Sequence, residues 1–330
     1  MLLDKLFDKL FDKLFDKLFD KLFDKLFAKK KNMSPKMDEK GCRMSENNVA
    51  KPKGLSATSY LFVPAINIER VEKAFARGAD TVIIDLEDAV SDSVKMQSRD
   101  NVVNYLSGAD AKPVWVRINA ASSNHQAGDI ELLKSLPASA INNVIGVVLP
   151  KVEHAIEIDR VRHALAKPMI ALIETPKGMA NIPDIAAAAG LTALSFGFLD
   201  ICEKLGVRAD SEAGQVVANQ IRYQLSLHSA INALTPPIEC VYPPFNDDDG
   251  LTERVNGWRD LGFSGMLCIH PNQVAIVNAL ARPSQAQLAF AKKVADHYAQ
   301  TGLAAFALDG QMVDTPVIVQ AQKLIEKYQP

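Results

Sequence analysis

The stretch MIALIETPKGMANIPDIAAAAGLTALSFGFLD, residues 169–200, holds two apolar runs that close on acids, Glu174 and Asp200. The runs are dense in Ile, Leu, Ala and Phe without the polar alternation of a half-solvated sheet, so each reads as a strand buried on both faces. Between them Ile182, Ile185 and Ala189 fall at helical spacing. The same unit recurs along the chain, with apolar runs at 59–65, 81–87, 113–119, 143–151, 169–175, 193–200, 237–243 and 265–271. Strand and helix repeated in this way predict a parallel (β/α)8 barrel of the TIM type, the alternative being an open doubly wound sheet. In a closed barrel the C-terminal strand ends share one mouth, where Glu87, Arg117, Lys151, Glu174, Asp200 and His270 would converge.

A chain of 330 residues accommodates such a barrel with an extension at each end. The expected organisation is a low-complexity repeat and flexible linker over 1–55, the catalytic barrel over 56–283 and a C-terminal lid or arm over 284–330. Residues 4–27 are six tandem copies of Asp-Lys-Leu-Phe. On a helix a four-residue repeat overshoots a turn by about 40° per copy, so the Leu-Phe stripe winds around the axis and makes a poor coiled coil. It is either an interfacial amphipathic helix or a slipped repeat without a role, and the second is the expectation. A net charge of -2 gives no electrostatic reason for nucleic acid or an anionic membrane as partner. Cys42, Cys202, Cys240 and Cys268 are scattered without a CxxC, which speaks against zinc and a disulfide framework and for a reducing cytoplasm.

Glu174 and Asp200 end neighbouring strands. Two carboxylates without other strong ligands suit Mg²⁺, which prefers oxygen and keeps positions for water and a chelating substrate; capping of the following helices is the alternative. Arg117, in Val-Arg-Ile-Asn, needs partners for five donors. It either clamps a carboxylate or a developing enolate oxygen in the mouth, or forms an ion pair with Glu87 or Asp88, and both can hold at once. Asp85, Glu87 and Asp88 crowd the end of the second strand, and one of them is expected to orient Arg117. Lys151 reads as an ion-pair partner of Glu153 or a rim acid rather than a Schiff-base lysine. His270 is either a polar group of the rim or a structural histidine. Arg70, Lys73 and Arg77 form a basic stripe, either a solvated face or a phosphate contact. No GxGxxG or GxxxxGK[ST] accompanies it, so no nicotinamide or nucleoside triphosphate site is indicated.

Taken together, Leu61-Phe62-Val63-Pro64, Asp85-Leu86-Glu87-Asp88-Ala89-Val90, Val116-Arg117-Ile118-Asn119, Leu149-Pro150-Lys151, Ile173-Glu174-Thr175, Gly197 with Asp200, Ile269-His270-Pro271 and Met312-Val313-Asp314 resemble the citrate lyase beta subunit family. That family, within the HpcH/HpaI aldolases, includes malyl-CoA and citramalyl-CoA lyases. The resemblance implies a Mg²⁺-dependent carbon–carbon lyase that cleaves citramalyl-CoA or malyl-CoA to acetyl-CoA and a small 2-oxo acid. It implies Glu174 and Asp200 as metal ligands, with Arg117 steadying the thioester enolate; Glu87, among the acids that close the second strand, is also expected among the catalytic groups. Asp314 would act as acid/base in a neighbouring subunit's site within a homotrimer or hexamer. Lys151, His270, Arg70 and Lys73 are the expected substrate and CoA contacts. Two departures stand out: Ala57-Thr58 replaces a basic residue ahead of the first strand, and Phe198-Leu199 replaces an acid inside the Gly-x-x-Asp motif. A thioesterase of the same fold needs similar residues, and a non-catalytic subunit would need none of them; product analysis separates the three.

Overall fold

The structure, a computed structural model, describes residues 57–328, so the expectations for 1–55 lie outside the described residues. Eight parallel strands form one sheet: β1 (Ser59–Pro64), β2 (Thr81–Asp85), β3 (Val114–Arg117), β4 (Val144–Leu149), β5 (Met169–Ile173), β6 (Leu191–Phe196), β7 (Ile238–Glu239) and β8 (Gly265–Cys268). Their order is β6-β5-β4-β3-β2-β1-β8-β7. Because β1 pairs with both β2 and β8, the sheet curls, and only β6 and β7 lack a common ladder. Across that seam Thr235 N–H donates to Thr192 O at 2.9 Å. The result is a TIM-like barrel nearly closed on itself.

Burial on both faces has a direct structural cause. Tyr60, Ile83, Trp115, Val148, Ile170 and Leu267 meet inside the barrel, while alternate residues such as Leu61, Val82, Val116 and Ile173 pack outward in a second apolar cluster with the helices. Trp115 fills much of the interior because Gly146 beside it has no side chain; a Cβ there would collide with the indole. The outer layer contains α1 (Arg70–Ala76), α2 (Lys95–Leu106), α3 (Gln126–Ser135), α4 (Ala138–Ile141), α5 (Ala155–Leu165), α6 (Pro176–Ala180), α7 (Ile182–Ala186), α8 (Phe198–Leu205), α9 (Glu212–Ile231), α10 (Asp248–Asp260) and α11 (Pro271–Leu280). No helix among the described residues is long and apolar enough to cross a membrane.

Two details differ from expectation. The seventh run, read as 237–243, yields only the two residues of β7, because prolines at 236, 237, 243 and 244 withhold the N–H groups that a longer ladder needs. The tail is also more self-contained than its composition suggests. It consists of α12 (Gln285–Thr301), the hairpin β9 (Ala305–Leu308) and β10 (Gln311–Asp314), and α13 (Thr315–Tyr328). Ala291, Val294, Val313, Ile318 and Ala321 make a small apolar cluster of their own. The hairpin turns at Asp309-Gly310, whose φ values of 48° and 78° are the positive pair that a type I′ turn demands.

Candidate active site

Strand alternation sets the site. In β2 the residues that face inward are Ile83 and then Asp85; in β3 they are Trp115 and then Arg117, and the ladder pairs Asp85 with Arg117. The next layer above the apolar plug is therefore ionic. Arg117 donates from Nε and Nη2 to the two oxygens of Asp85, both at 2.6 Å, the bidentate geometry a guanidinium allows. Its Nη1 lies 3.1 Å from Glu87 Oε2, an ion pair without hydrogen-bond alignment. The ring of Phe62 lies under the guanidinium, 4.7 Å from Cζ. Of the three clustered acids, Asp85 orients Arg117, Glu87 assists, and Asp88 turns elsewhere.

Asp88 and Glu87 both accept from Lys151 Nζ, the former at 2.9 Å. Burial works against the ammonium, but these hydrogen bonds outweigh it and hold the pKa above its ordinary value. The contacts to both rim acids are those of the ion-pair reading of Lys151. Its partners are the rim acids; Glu153 pairs with Lys177 at 3.1 Å instead. Lys151 also adopts a left-handed backbone, φ 52°, and its N–H donates to Glu174 Oε2 at 2.8 Å. A non-glycine residue held in that region carries a local strain, and here it aims the backbone N–H at Glu174.

Glu174 follows β5 and is 5% exposed. Burial foremost, and then the charge of Glu87, push its pKa up to about 8, against which Arg117 and Lys151 act in part. Gly197, at the end of β6, makes this packing possible: a Cβ there would stand 2.5 Å from Glu174 Oε1. The glycine of the Gly-x-x-Asp motif is thus a clearance for the carboxylate. Asp200 lies in the first turn of α8, and both acids line one cavity of about 690 Å³ at the C-terminal strand ends, together with Arg117, Phe62, Leu199 and Arg254. No cluster of three or more His, Cys, Asp or Glu ligands exists among the described residues. Two oxygen-donating acids, one of them buried among like charges, are the donor set that suits a hard divalent cation retaining water and substrate oxygens.

The remaining expected residues divide. Glu87 is buried and bonded to Lys151 outside the lining of the cavity. His270 caps α11, accepting from Asn272 N–H at 3.3 Å and stacking on Phe245 at 5.3 Å, which favours its structural reading. Arg70 and Lys73 are exposed on α1 and do not line the cavity. Asp314 ends β10, also outside that lining. Arg254, unmarked by any sequence motif, does line it.

The raised pKa of Glu174 has a testable sign. Between 4.5 and about 8 the folded protein retains a proton that the unfolded chain releases, so this group's contribution to stability is complete below pH 4.5 and is lost as pH rises through 8. Glu174→Gln should therefore raise the Tm of metal-free protein by several degrees at pH 9 and leave it unchanged near pH 4. Equal shifts at both pH values would remove the buried-charge account.

Residues 58–271 match the HpcH/HpaI aldolase/citrate lyase family. The "Citrate lyase subunit beta-like protein" of Mycobacterium tuberculosis is 35% identical over 274 residues, 81% of this chain and 94% of the relative. The "(3S)-malyl-CoA thioesterase" of Cereibacter sphaeroides is 31% identical over 275 residues, 82% of this chain and 93% of its own. Among solved structures, protein CitE from Mycobacterium tuberculosis in complex with magnesium, acetoacetate and coenzyme A superposes with a TM-score of 0.73 at 31% identity, covering 84% of this chain and all of the other. With the barrel and the ionic layer at its mouth, these matches show that the chain belongs to the HpcH/HpaI aldolase/citrate lyase family.

Proposed function

We propose that this chain is a Mg²⁺-dependent lyase that cleaves a 3-hydroxyacyl-CoA, citramalyl-CoA or malyl-CoA, to acetyl-CoA and a 2-oxo acid. The observation that carries the reading is the placement of Glu174 and Asp200 in one cavity with an arginine whose plane is locked by Asp85. Glu174 and Asp200 would hold the cation, which would supply Lewis-acid polarisation at the carbon that becomes the 2-oxo carbon. Cleavage removes the proton of that hydroxyl, breaks the bond to the carbon next to the thioester and leaves the electron pair as an enolate, which then takes a proton on carbon. Arg117 offers the enolate oxygen the N–H groups that Asp85 leaves free. Because Asp85 and Phe62 already fix the guanidinium, little reorganisation is needed as charge develops. Glu87, turned to Lys151 and Arg117, positions rather than reacts in this scheme.

Asp314 is proposed as the proton carrier, supplied to a neighbouring subunit's cavity, since it does not line its own. Self-association is supported by an apolar stripe on α9, where Val216, Tyr223 and Ile231 are 61%, 59% and 65% exposed. A thioesterase reading is favoured by one observation, the similarity to the Cereibacter sphaeroides thioesterase. Incubation with citramalyl-CoA and malyl-CoA, with and without Mg²⁺, separates the two. The lyase is expected to give a 2-oxo acid and acetyl-CoA only with the cation, in wild type and not in Glu174→Ala or Asp200→Ala. Free CoA with an intact hydroxy acid would establish the hydrolase.

A further inference from the structure

β7 ends on Glu239, wholly buried. Arg222 of α9, itself 3% exposed, meets it with two parallel bonds, Nε to Oε2 at 2.9 Å and Nη2 to Oε1 at 2.6 Å. That pair is complete in charge and geometry. A second guanidinium nevertheless reaches the same carboxylate: Arg254 of α10 donates from Nη1 to Oε1 at 3.1 Å. One carboxylate therefore serves two arginines, and the cluster carries one positive charge in excess. Arg222 uses its Nη1 on Asn219 and lies away from the mouth. Arg254 differs: it lines the cavity that holds Glu174 and Asp200, and its Nε and Nη2 have no partner among the described residues. Its Cζ stands 5.6 Å over the ring of Tyr242, whose hydroxyl is tied to Asp247 at 2.6 Å.

Pairing the other charges of the cavity leaves Arg254 as the remainder. Asp85 is taken by Arg117, Asp88 by Lys151 and Asp210 by Arg208, the last at 3.5 Å. Glu174 and Asp200 form the oxygen pair assigned above to a cation. An arginine held by one nitrogen on a buried carboxylate, with its Cζ over an aromatic ring at 5.6 Å and a fork of donors free, is preorganised for an anionic oxygen group. The geometry points to Arg254 as a specificity-determining residue that anchors an anionic group of the thioester substrate, either the carboxylate of the acyl portion or a phosphate of coenzyme A. This rests on the CoA-ester reading and extends it to a residue that no motif marks.

Calorimetric binding of two probes tests it, coenzyme A alone and pyruvate with Mg²⁺, on wild type, Arg254→Gln and Arg254→Lys. Arg254→Gln is expected to weaken one probe tenfold or more and leave the other within twofold. Loss confined to coenzyme A identifies phosphate as the anchored group, and loss confined to pyruvate identifies carboxylate. Arg254→Lys, which keeps the charge without the fork, is expected to weaken the same probe severalfold; it also keeps a cation beside Glu239 should the glutamine variant fail to fold. Unchanged affinity for both probes would overturn the assignment. So would equal weakening of both with a lowered Tm, since that is the mark of a structural role. Wild-type protein that binds neither probe would instead overturn the CoA-ester reading, and the role of Arg254 with it.

Discussion

Arg117→Lys is expected to lower kcat by about three orders of magnitude, the scale of losing a preorganised donor at a developing oxyanion. A lysine ammonium is a point charge and cannot reproduce the two parallel bonds to Asp85. Asp85 is 1% exposed, and without the guanidinium fork it keeps in full only the bonds from the backbone N–H groups of Glu87 and Ala89. A stability loss of about 2 kcal/mol should accompany the kinetic one, the scale of a lost hydrogen bond between charged groups where the counter-charge itself is kept. Initial rates of 2-oxo acid release and urea midpoints measure the two effects separately. A variant with near-normal rate and lowered midpoint would make Arg117 a structural residue alone.

Glu239→Ala should be the most destabilising single change near the mouth. It strips Arg222 and Arg254 of their common carboxylate and leaves the first guanidinium, 3% exposed, without a counter-charge. Removing one partner of a buried ion pair costs about 3–5 kcal/mol, and here two cations lose the same anion. Chemical denaturation with and without coenzyme A gives the measure. A loss under about 1 kcal/mol, the ordinary value of an exposed pair, would show that water reaches the cluster.

The barrel was legible because parallel strands buried on both faces leave dense apolar runs, and the rim acids because chemistry gathers where such strands end. Counting by two would have gone further: Ile83 and Asp85, like Trp115 and Arg117, fall on one side of their strands, which puts Asp85 opposite Arg117 rather than Glu87 or Asp88. The Asp309-Gly310 turn was likewise present as a hairpin signal within a segment read only as lid or arm. Arg254 was not legible. An arginine in an amphipathic helix has no local mark, and its meaning comes from Glu239, which lies 15 residues earlier and already has a partner. Arg70 and Lys73 show the reverse, since a basic stripe in sequence is most simply a surface in water.

The ladder between β1 and β8 sets the order in which a growing chain can finish itself. Ser59 pairs with Met266, so the edge of β1 stays open while roughly two hundred residues are synthesised, a wait on the order of 10 s or more at ordinary elongation rates. During that interval Ser59–Pro64 presents an apolar strand with unmet N–H and C=O groups on one side. The nascent protein is thus most exposed to mispairing early and protected late, and chaperone dependence should rest on β1 rather than on the strands that lead to Glu174 and Asp200.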